Sequence, residues 1–349
     1  MYAVIMAGGK GERLWPKTAK GKAKHTLTFG TRNVMIKETI KRLSENLDID
    51  KIFLVTTKSQ YSTLRPYTSM LLKKNIILEP EGKDTACAVC LAALTIQKRF
   101  GNQAMAILPA DHIIKNSKMF FNDLLTGEKV ATDSSPCLVT IGIKPKYASI
   151  GYGYINIGTK AKDSYIVKRF VEKPNKKNAE LFSKKKDFLW NSGVFVWKVD
   201  SILNALKRYT PNLYYNLKDV VRFDGKRGYS MKLSNSYRDI KPVSIDYAVM
   251  EPTAKNKTLK IFCIKGGFDW VDIGSWSSVE EIYDKDASGN IVLSNSGLLD
   301  VKDSIIIGEQ DHKIGIIGLQ NIIVVQTHSG TLICNKNRAQ EVKTLVRNF

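Results

Sequence analysis

An α/β fold with a mostly parallel sheet, followed by a small all-β domain, is the architecture this sequence predicts, on two observations. First, short β-branched runs alternate with helical patterns over 3–6, 35–43, 51–56, 85–96 and 104–108. Strand and helix alternating at that spacing build βαβ units, whose crossovers cover both faces of a parallel sheet. Second, helical patterns stop after about Asp284, and short apolar runs follow at 290–294, 303–308, 313–318, 321–326 and 330–334, separated by Gly, Asn or Asp. Short stacked strands of this kind suggest a β-solenoid or small β domain. The expected division is therefore 1–283 and 284–349. The segment 338–346 reads as a closing amphipathic helix with Val342, Leu345 and Val346 on one side.

Composition excludes several classes. At 349 residues the chain exceeds what one core usually holds, which favours a large domain plus a smaller one. No apolar run approaches the roughly 18 to 20 residues a bilayer needs, so a membrane is not an expected partner. The apolar start, Met1 to Gly9, is too short for a secretion signal and reads as the first strand. Five cysteines at scattered positions suit a reducing cytoplasm better than a disulfide framework. Cys87 and Cys90 have CxxC spacing, but no second pair or nearby His completes a zinc site, so they read as core thiols of an Ala-rich helix. Lys plus Arg outnumber Asp plus Glu by 54 to 33, a net charge of +21 that would attract polyanions. The lysines are spread along the chain with no nucleic-acid-binding motif, so a solvated surface is expected and nucleic acid is not. An anionic small substrate gains from the same field.

Ligands of such sheets bind beyond the carboxyl ends of the strands, so residues that directly follow a strand come first. Ala7-Gly8-Gly9-Lys10-Gly11-Glu12-Arg13-Leu14 follows the first one. Close glycines let backbone N–H groups converge on an anion, and Lys10 and Arg13 can add charge-assisted bonds to phosphate. The loop is neither a Walker A motif nor a dinucleotide fingerprint, since it lacks Gly-Lys-Ser/Thr and has Leu14 at the third glycine position. Leu108-Pro109-Ala110-Asp111-His112 follows another strand, and Asp272 lies in a Gly-containing loop. Two carboxylates plus substrate phosphates suit Mg²⁺, which keeps waters and seldom takes an all-protein cage. His112 reads as a turn or phosphate-side residue rather than a ligand. Trp190 and Trp197 read as core, and Lys184 to Lys186 as a solvated helix face.

The motifs, in order, resemble a family. They are 6–16 with its glycine loop, Lys24, Glu79-Pro80-Glu81-Gly82-Lys83-Asp84-Thr85-Ala86, 108–112, Gly151-Tyr152-Gly153-Tyr154-Ile155, Phe170-Val171-Glu172-Lys173-Pro174, 190–194, 244–251 and 269–276. Together they are similar to mannose-1-phosphate guanylyltransferases, over Met1 to about Val346. The resemblance implies a Rossmann-like nucleotidyltransferase domain with a mixed, mostly parallel sheet, then a small left-handed β-helix domain. It implies conversion of GTP and mannose 1-phosphate to GDP-mannose and pyrophosphate, with Mg²⁺ as cofactor, and a homodimer. Gly8, Gly9, Gly11 and Arg13 match the nucleotide-phosphate loop and Lys24 the lysine contacting phosphate. Asp111 and Asp272 match the metal carboxylates. Glu172, Lys173 and Asn191 match the sugar-phosphate contacts, with Gly153 approaching the sugar, and Glu79, Asp84 and Thr85 lie in the stretch around guanine. Bifunctional members carry an isomerase domain beyond the equivalent of Phe349, so isomerase activity is not expected here.

The implied chemistry asks for these residue types. A sugar-phosphate oxygen displaces pyrophosphate from the α-phosphorus, so the protein mainly positions anions and neutralises charge. Several positions differ from the family's frequent residues: Ala23 for proline, Lys83 for arginine, Asp84 for asparagine, Cys87 for proline and Ile150 for threonine. Asp84 leaves two readings open: a carboxylate that accepts from guanine N1–H and N2–H, or a cap on the helix beginning near Thr85, which the Asp-Thr-Ala-Cys-Ala start favours. Alternatives in function are a nucleotidyltransferase for another sugar 1-phosphate or nucleotide, or a non-catalytic regulator binding a sugar nucleotide.

Overall fold

The structure, a computed structural model, describes residues 1–349 other than Lys10 and Thr258. The role expected of Lys10 at the phosphate loop therefore lies outside the described residues. β1 (Tyr2–Ala7), β2 (Ile52–Thr57), β3 (Ile76–Glu79) and β4 (Ala104–Pro109) pair in parallel in the order β3-β2-β1-β4. Helices Met35–Ser44, Lys58–Leu64 and Asp84–Phe100 make the crossovers. Side chains alternate across β1: Val4 joins Phe53, Val55 and the helix Asp84–Phe100, while Ala3, Ile5 and Ala7 join Ile36, Ile40 and Leu43. Burial on both faces is why these strands read as apolar runs.

β5 (His112–Ile114), β6 (Cys137–Ile143), β7 (Tyr154–Ala161), β8 (Ser164–Val171), β9 (Phe188–Lys198) and β10 (Lys260–Lys265) follow, and all but β5 extend the sheet to the order β3-β2-β1-β4-β9-β6-β10-β8-β7. β9 is antiparallel to β4, β6 and β7, and β8 to β7 and β10, while β6 and β10 are parallel. Only β8 and β9 oppose the common direction, so the sheet is mixed and mostly parallel. β5 stands apart and pairs antiparallel with β11 (Trp270–Asp272), Asp272 opposite His112.

The C-terminal part is a β-helix. β12 (Ile291–Leu293), β13 (Asn295–Leu299), β14 (Ile305–Ile307), β15 (Lys313–Ile317) and β16 (Ile322–Thr327) coil so that Ile291, Ile305 and Ile323 stack on one face and Leu299 meets Ile317 on another. β17 (Gly330–Asn335) folds back antiparallel on β16 and ends the ladder. Asn290 stitches two coils: its side-chain nitrogen donates to the Val301 carbonyl at 2.9 Å, and its oxygen accepts from Ser304 N–H at 3.0 Å. A shared core of Leu14, Val271 and Trp276 with Ile305, Ile323, Leu332 and Val342 clamps the β-helix against the segment after the glycine loop.

Three local expectations change. The last segment is a 3₁₀ turn, Lys336–Glu341, followed by the helix Val342–Val346. Val342 is buried and Val346 packs partly on the same core, but Leu345 is 41% exposed, so the helix turns only Val342 and Val346 inward. Lys184 to Lys186 are exposed, but they lie in the turn after the helix Lys176–Ser183. His112 opens a strand and is buried. Cys87, Cys90, Trp190 and Trp197 are core residues, as expected. No helix among the described residues is long and apolar enough to cross a membrane.

Candidate active site

At the carboxyl edge of β1 and β4 a cleft of about 450 Å³ is lined by Gly8, Gly9, Gly11, Arg13, Lys24, Asp111 and Asp272. The glycine loop is shaped by its own geometry. Gly11 has φ +66°, and a Cβ there would sit 2.7 Å from the Lys24 Cβ, so only glycine lets the loop close over that lysine. Its carbonyl accepts from Leu14 N–H at 2.8 Å and Thr18 Oγ1 at 3.0 Å. Gln60 Nε2 donates to the Gly9 carbonyl.

Asp111 and Asp272, distant in sequence, meet because β5 and β11 form a two-stranded ribbon that starts just after Asp111 and ends on Asp272. Lys24 lies between them, its Nζ 2.6 Å from Asp111 Oδ2 and 3.6 Å from Asp272 Oδ1. Burial alone would lower the Lys24 ammonium, yet Asp111 and then Asp272 reverse this and raise its pKa. Burial likewise works to raise Asp111, but Lys24, then His112 and His25, hold it well below the usual carboxylate range. The imidazoles go the other way: burial pushes His25 down to about 4 and also lowers His112. Oxygens of the two carboxylates and a nitrogen of His112 lie within 4.8 Å of one another, and His112 Nδ1 is buried without a hydrogen-bond partner. Arg13 Nη1 reaches the Gly274 carbonyl at 3.5 Å on the same rim.

A second group gathers beyond this centre. Asn191 N–H donates to the Gly153 carbonyl at 2.8 Å, and a Cβ on Gly153 would sit 2.4 Å from Glu172 Oε2. Glycine there lets the Glu172 carboxyl lie against the backbone. Lys173 pairs with Glu172 at 3.0 Å, while Glu172 Oε2 is buried and unpartnered. Tyr152 links the two groups, its ring packing on Trp190 and on Trp270, which meets His112 edge-on.

Two carboxylates to which sequence reasoning gave no role belong to the second group. Asn191 Nδ2 donates to Asp246 Oδ1 at 2.8 Å, and Glu172 N–H donates to Glu251 Oε1 at 2.7 Å. Asp246–Met250 is one π-helical turn, whose i to i+5 spacing stacks residues five apart and brings both acids to this site. Burial, then the Glu172 charge, raises the Asp246 carboxyl to about 7, and burial raises Glu172. The signal was available in the motif 244–251, but helical periodicity alone would separate the acids.

The remaining nucleotide-side residues divide. Glu79 is buried at the end of β3, accepts from Tyr237 Oη at 3.0 Å, and is raised by burial to about 7. It is therefore enclosed and does not line the phosphate cleft. Asp84 is exposed, has φ +64°, and its Oδ1 accepts from Thr85 N–H at 2.7 Å. That contact is to the adjacent N–H and not to the second or third N–H of an ordinary cap, so the expected cap geometry is corrected to a contact within the first turn. Thr85 Oγ1 accepts from Ile245 N–H at 2.8 Å, tying this helix to the π turn.

The chain matches the nucleotidyl transferase family over residues 2–289 and the MannoseP isomerase/GMP-like beta-helix domain over 289–349. It is 35% identical to a Klebsiella pneumoniae mannose-1-phosphate guanylyltransferase, covering 99% of this chain and 73% of that protein. It is 31% identical to the alginate biosynthesis protein AlgA of Pseudomonas aeruginosa, covering 100% and 72%. A Thermus thermophilus crystal structure described as a mannose-1-phosphate geranyltransferase superposes with a TM-score of 0.86 at 28% identity, covering 99% of this chain and 98% of that one. With the nucleotidyl transferase match followed by the β-helix match, and relatives at 31 to 35% identity along the whole chain, the chain belongs to the mannose-1-phosphate guanylyltransferase family of nucleotidyltransferases.

Proposed function

We propose that this protein transfers GMP from GTP to α-D-mannose 1-phosphate, giving GDP-mannose and pyrophosphate. The observation that carries the reading is the meeting of Asp111 and Asp272 over Lys24 beneath the glycine loop, beside a second buried group of acids and an amide. A sugar-phosphate oxygen bonds to the α-phosphorus as the bond to the β-phosphate oxygen breaks, and pyrophosphate leaves in line. The attacking phosphate is already ionised near neutral pH, so no general base is required. Burial lowers the pKa of His25 and His112 and makes both poor proton acceptors, which agrees with that.

Gly8, Gly9 and Gly11 keep the backbone open to the phosphates, Arg13 adds charge, and Lys24 is a cation fixed by two carboxylates. On the sugar side, Glu172 Oε2 is an acceptor for a hexose hydroxyl, with Lys173, Asn191 and Asp246 around it. We assign Glu79, Asp84 and Thr85 to the base side, where Tyr237 Oη donates to Glu79 and Ile245 N–H donates to Thr85. Asp111 and Asp272 fit a hard divalent cation such as Mg²⁺: their donors and His112 cluster, and both carboxylates keep enough exposure for the waters Mg²⁺ retains. When bound, such an ion neutralises charge on the transferring phosphate.

We place the division between catalytic and β-helix domains after residue 283, between the 3₁₀ turn Trp276–Glu281 and β12. A homodimer is supported by an apolar face on the β-helix, where Leu299 and Ile317 are register partners, 58% and 71% exposed. The free thiols, four of the five buried, agree with a reducing compartment such as the cytoplasm. The test is pyrophosphate release from a panel of nucleoside triphosphates crossed with sugar 1-phosphates in Mg²⁺. GTP with mannose 1-phosphate should give the highest kcat/KM, and a higher value for another pair would overturn the assignment.

A further inference from the structure

Two cations line the phosphate cleft that belong to neither the glycine loop nor the catalytic sheet. Lys343 and Arg347, on and just after the helix Val342–Val346, share the cleft with Arg13, Lys24 and the two aspartates. That helix is held in place. Val342 packs in the core with Leu14, Phe349 packs on the Trp15 ring at 5.2 Å, and Trp276 Nε1 donates to the Trp15 carbonyl at 2.8 Å. The β-hairpin comes equally close, since a Cβ on Gly330 would sit 2.8 Å from the Trp15 ring. The β-helix and the glycine loop are thus one packed unit, and the position of the two cations is set by the fold.

Both cations face Glu12, with Lys343 Nζ 3.9 Å and Arg347 Nη2 3.8 Å from Glu12 Oε2. Separations near 4 Å are too long for hydrogen bonds, so neither cation is engaged as a donor by that carboxylate. Lys24, by contrast, is committed to Asp111 at 2.6 Å. In an in-line displacement the leaving pyrophosphate must depart away from the attacking sugar phosphate. The residues of the sugar group, Gly153, Glu172, Lys173 and Asn191, do not line this cleft, whereas Lys343 and Arg347 do.

We infer that Lys343 and Arg347 bind the β- and γ-phosphates of GTP and the pyrophosphate they become, with Glu12 as the counter-charge that the phosphates displace. The β-helix then completes the leaving-group site of the catalytic domain. This rests on the nucleotidyl-transfer reading, and the reverse reaction separates the two. Pyrophosphorolysis of GDP-mannose by the native enzyme is measured first; if no GTP forms, the reading of the reaction fails. With that activity in hand, the double variant K343Q/R347Q should raise the KM for pyrophosphate and for GTP at least tenfold. The KM values for GDP-mannose and mannose 1-phosphate, which lack those phosphates, should stay within about twofold. The charge-conserving pair K343R/R347K should retain most of the affinity, and E12Q should lower the KM for pyrophosphate by a few fold. Unchanged KM values for pyrophosphate and GTP in K343Q/R347Q, with its melting temperature intact, would overturn the inference. So would an equal rise for all four substrates, and if K343Q/R347Q does not fold, an unchanged KM for pyrophosphate in E12Q does the same.

Discussion

Asp111 and Asp246 carry opposite pKa shifts, and each sets a different dependence on pH. Asp111 is held well below its ordinary value by the neighbouring cations, so its pairing stabilises the fold above the usual carboxylate range and is lost as pH falls through its depressed value. Asp111→Asn and Asp272→Asn should each lower kcat by 100-fold or more, read by steady-state assay, with circular dichroism unchanged. Asp246 is raised to about 7, so the folded state binds its proton more tightly than the unfolded chain does. Its contribution therefore falls as pH rises from about 4 to 7 and stays low above that. Asp246→Asn should raise the melting temperature at pH 8 relative to the native protein, yet raise the KM for mannose 1-phosphate well above any change for GTP. A melting temperature lower at pH 8 than the native one would contradict the buried-acid assignment. Asp84→Asn should leave the GTP to ATP ratio of kcat/KM unchanged, because the carboxylate is turned onto Thr85 N–H and its left-handed φ suits asparagine equally well.

At the scale of elements, the glycine loop separates two kinds of glycine. Gly11 has positive φ and no room for a Cβ beside Lys24, whereas nothing lies within 4 Å of a Cβ on Gly8. Gly11→Ala should cost about 1 to 2 kcal/mol from the backbone alone, lower the melting temperature and displace Lys24, with a large loss of kcat. Gly8→Ala should leave the melting temperature unchanged, which differential scanning fluorimetry of the pair would check. The elements that follow a strand are legible in the sequence for a physical reason: a parallel strand buried on both faces is a plain apolar run, and its exit loop is easily located. The ribbon of β5 and β11 is not, since three-residue strands carry no usable period, and so the strand start at His112 reads as a turn. Asp246 and Glu251 are hidden by the π turn, and Lys343 and Arg347 because the apolar stripe of the last segment does not say what its basic residues face.

For the whole molecule, the β-helix has two faces with distinct consequences. One packs on the segment after the glycine loop and brings basic residues to the cleft; another leaves Leu299 and Ile317 exposed in a ladder. Ile317→Lys should convert a dimer to a monomer, measured as a halved mass by light scattering, while keeping the melting transition; a native protein already monomeric would remove the dimer proposal. The fold class is legible because the two textures of the sequence correspond to two kinds of core, one a covered parallel sheet and one a coiled ladder. The contact between them is not, because Leu14, Trp276 and Val342 meet only in three dimensions.

In the proposed reaction a sugar-phosphate oxygen attacks the α-phosphorus of GTP in the cleft between the glycine loop and the two aspartates. Mannose 1-phosphate labelled with ¹⁸O in its phosphate, turned over with GTP and Mg²⁺ and resolved by mass spectrometry, tests it most directly. GDP-mannose should retain all the label and pyrophosphate should carry none, with product formation abolished by excess EDTA. Label in the released pyrophosphate, or no GDP-mannose from the native enzyme, would rule this reaction out.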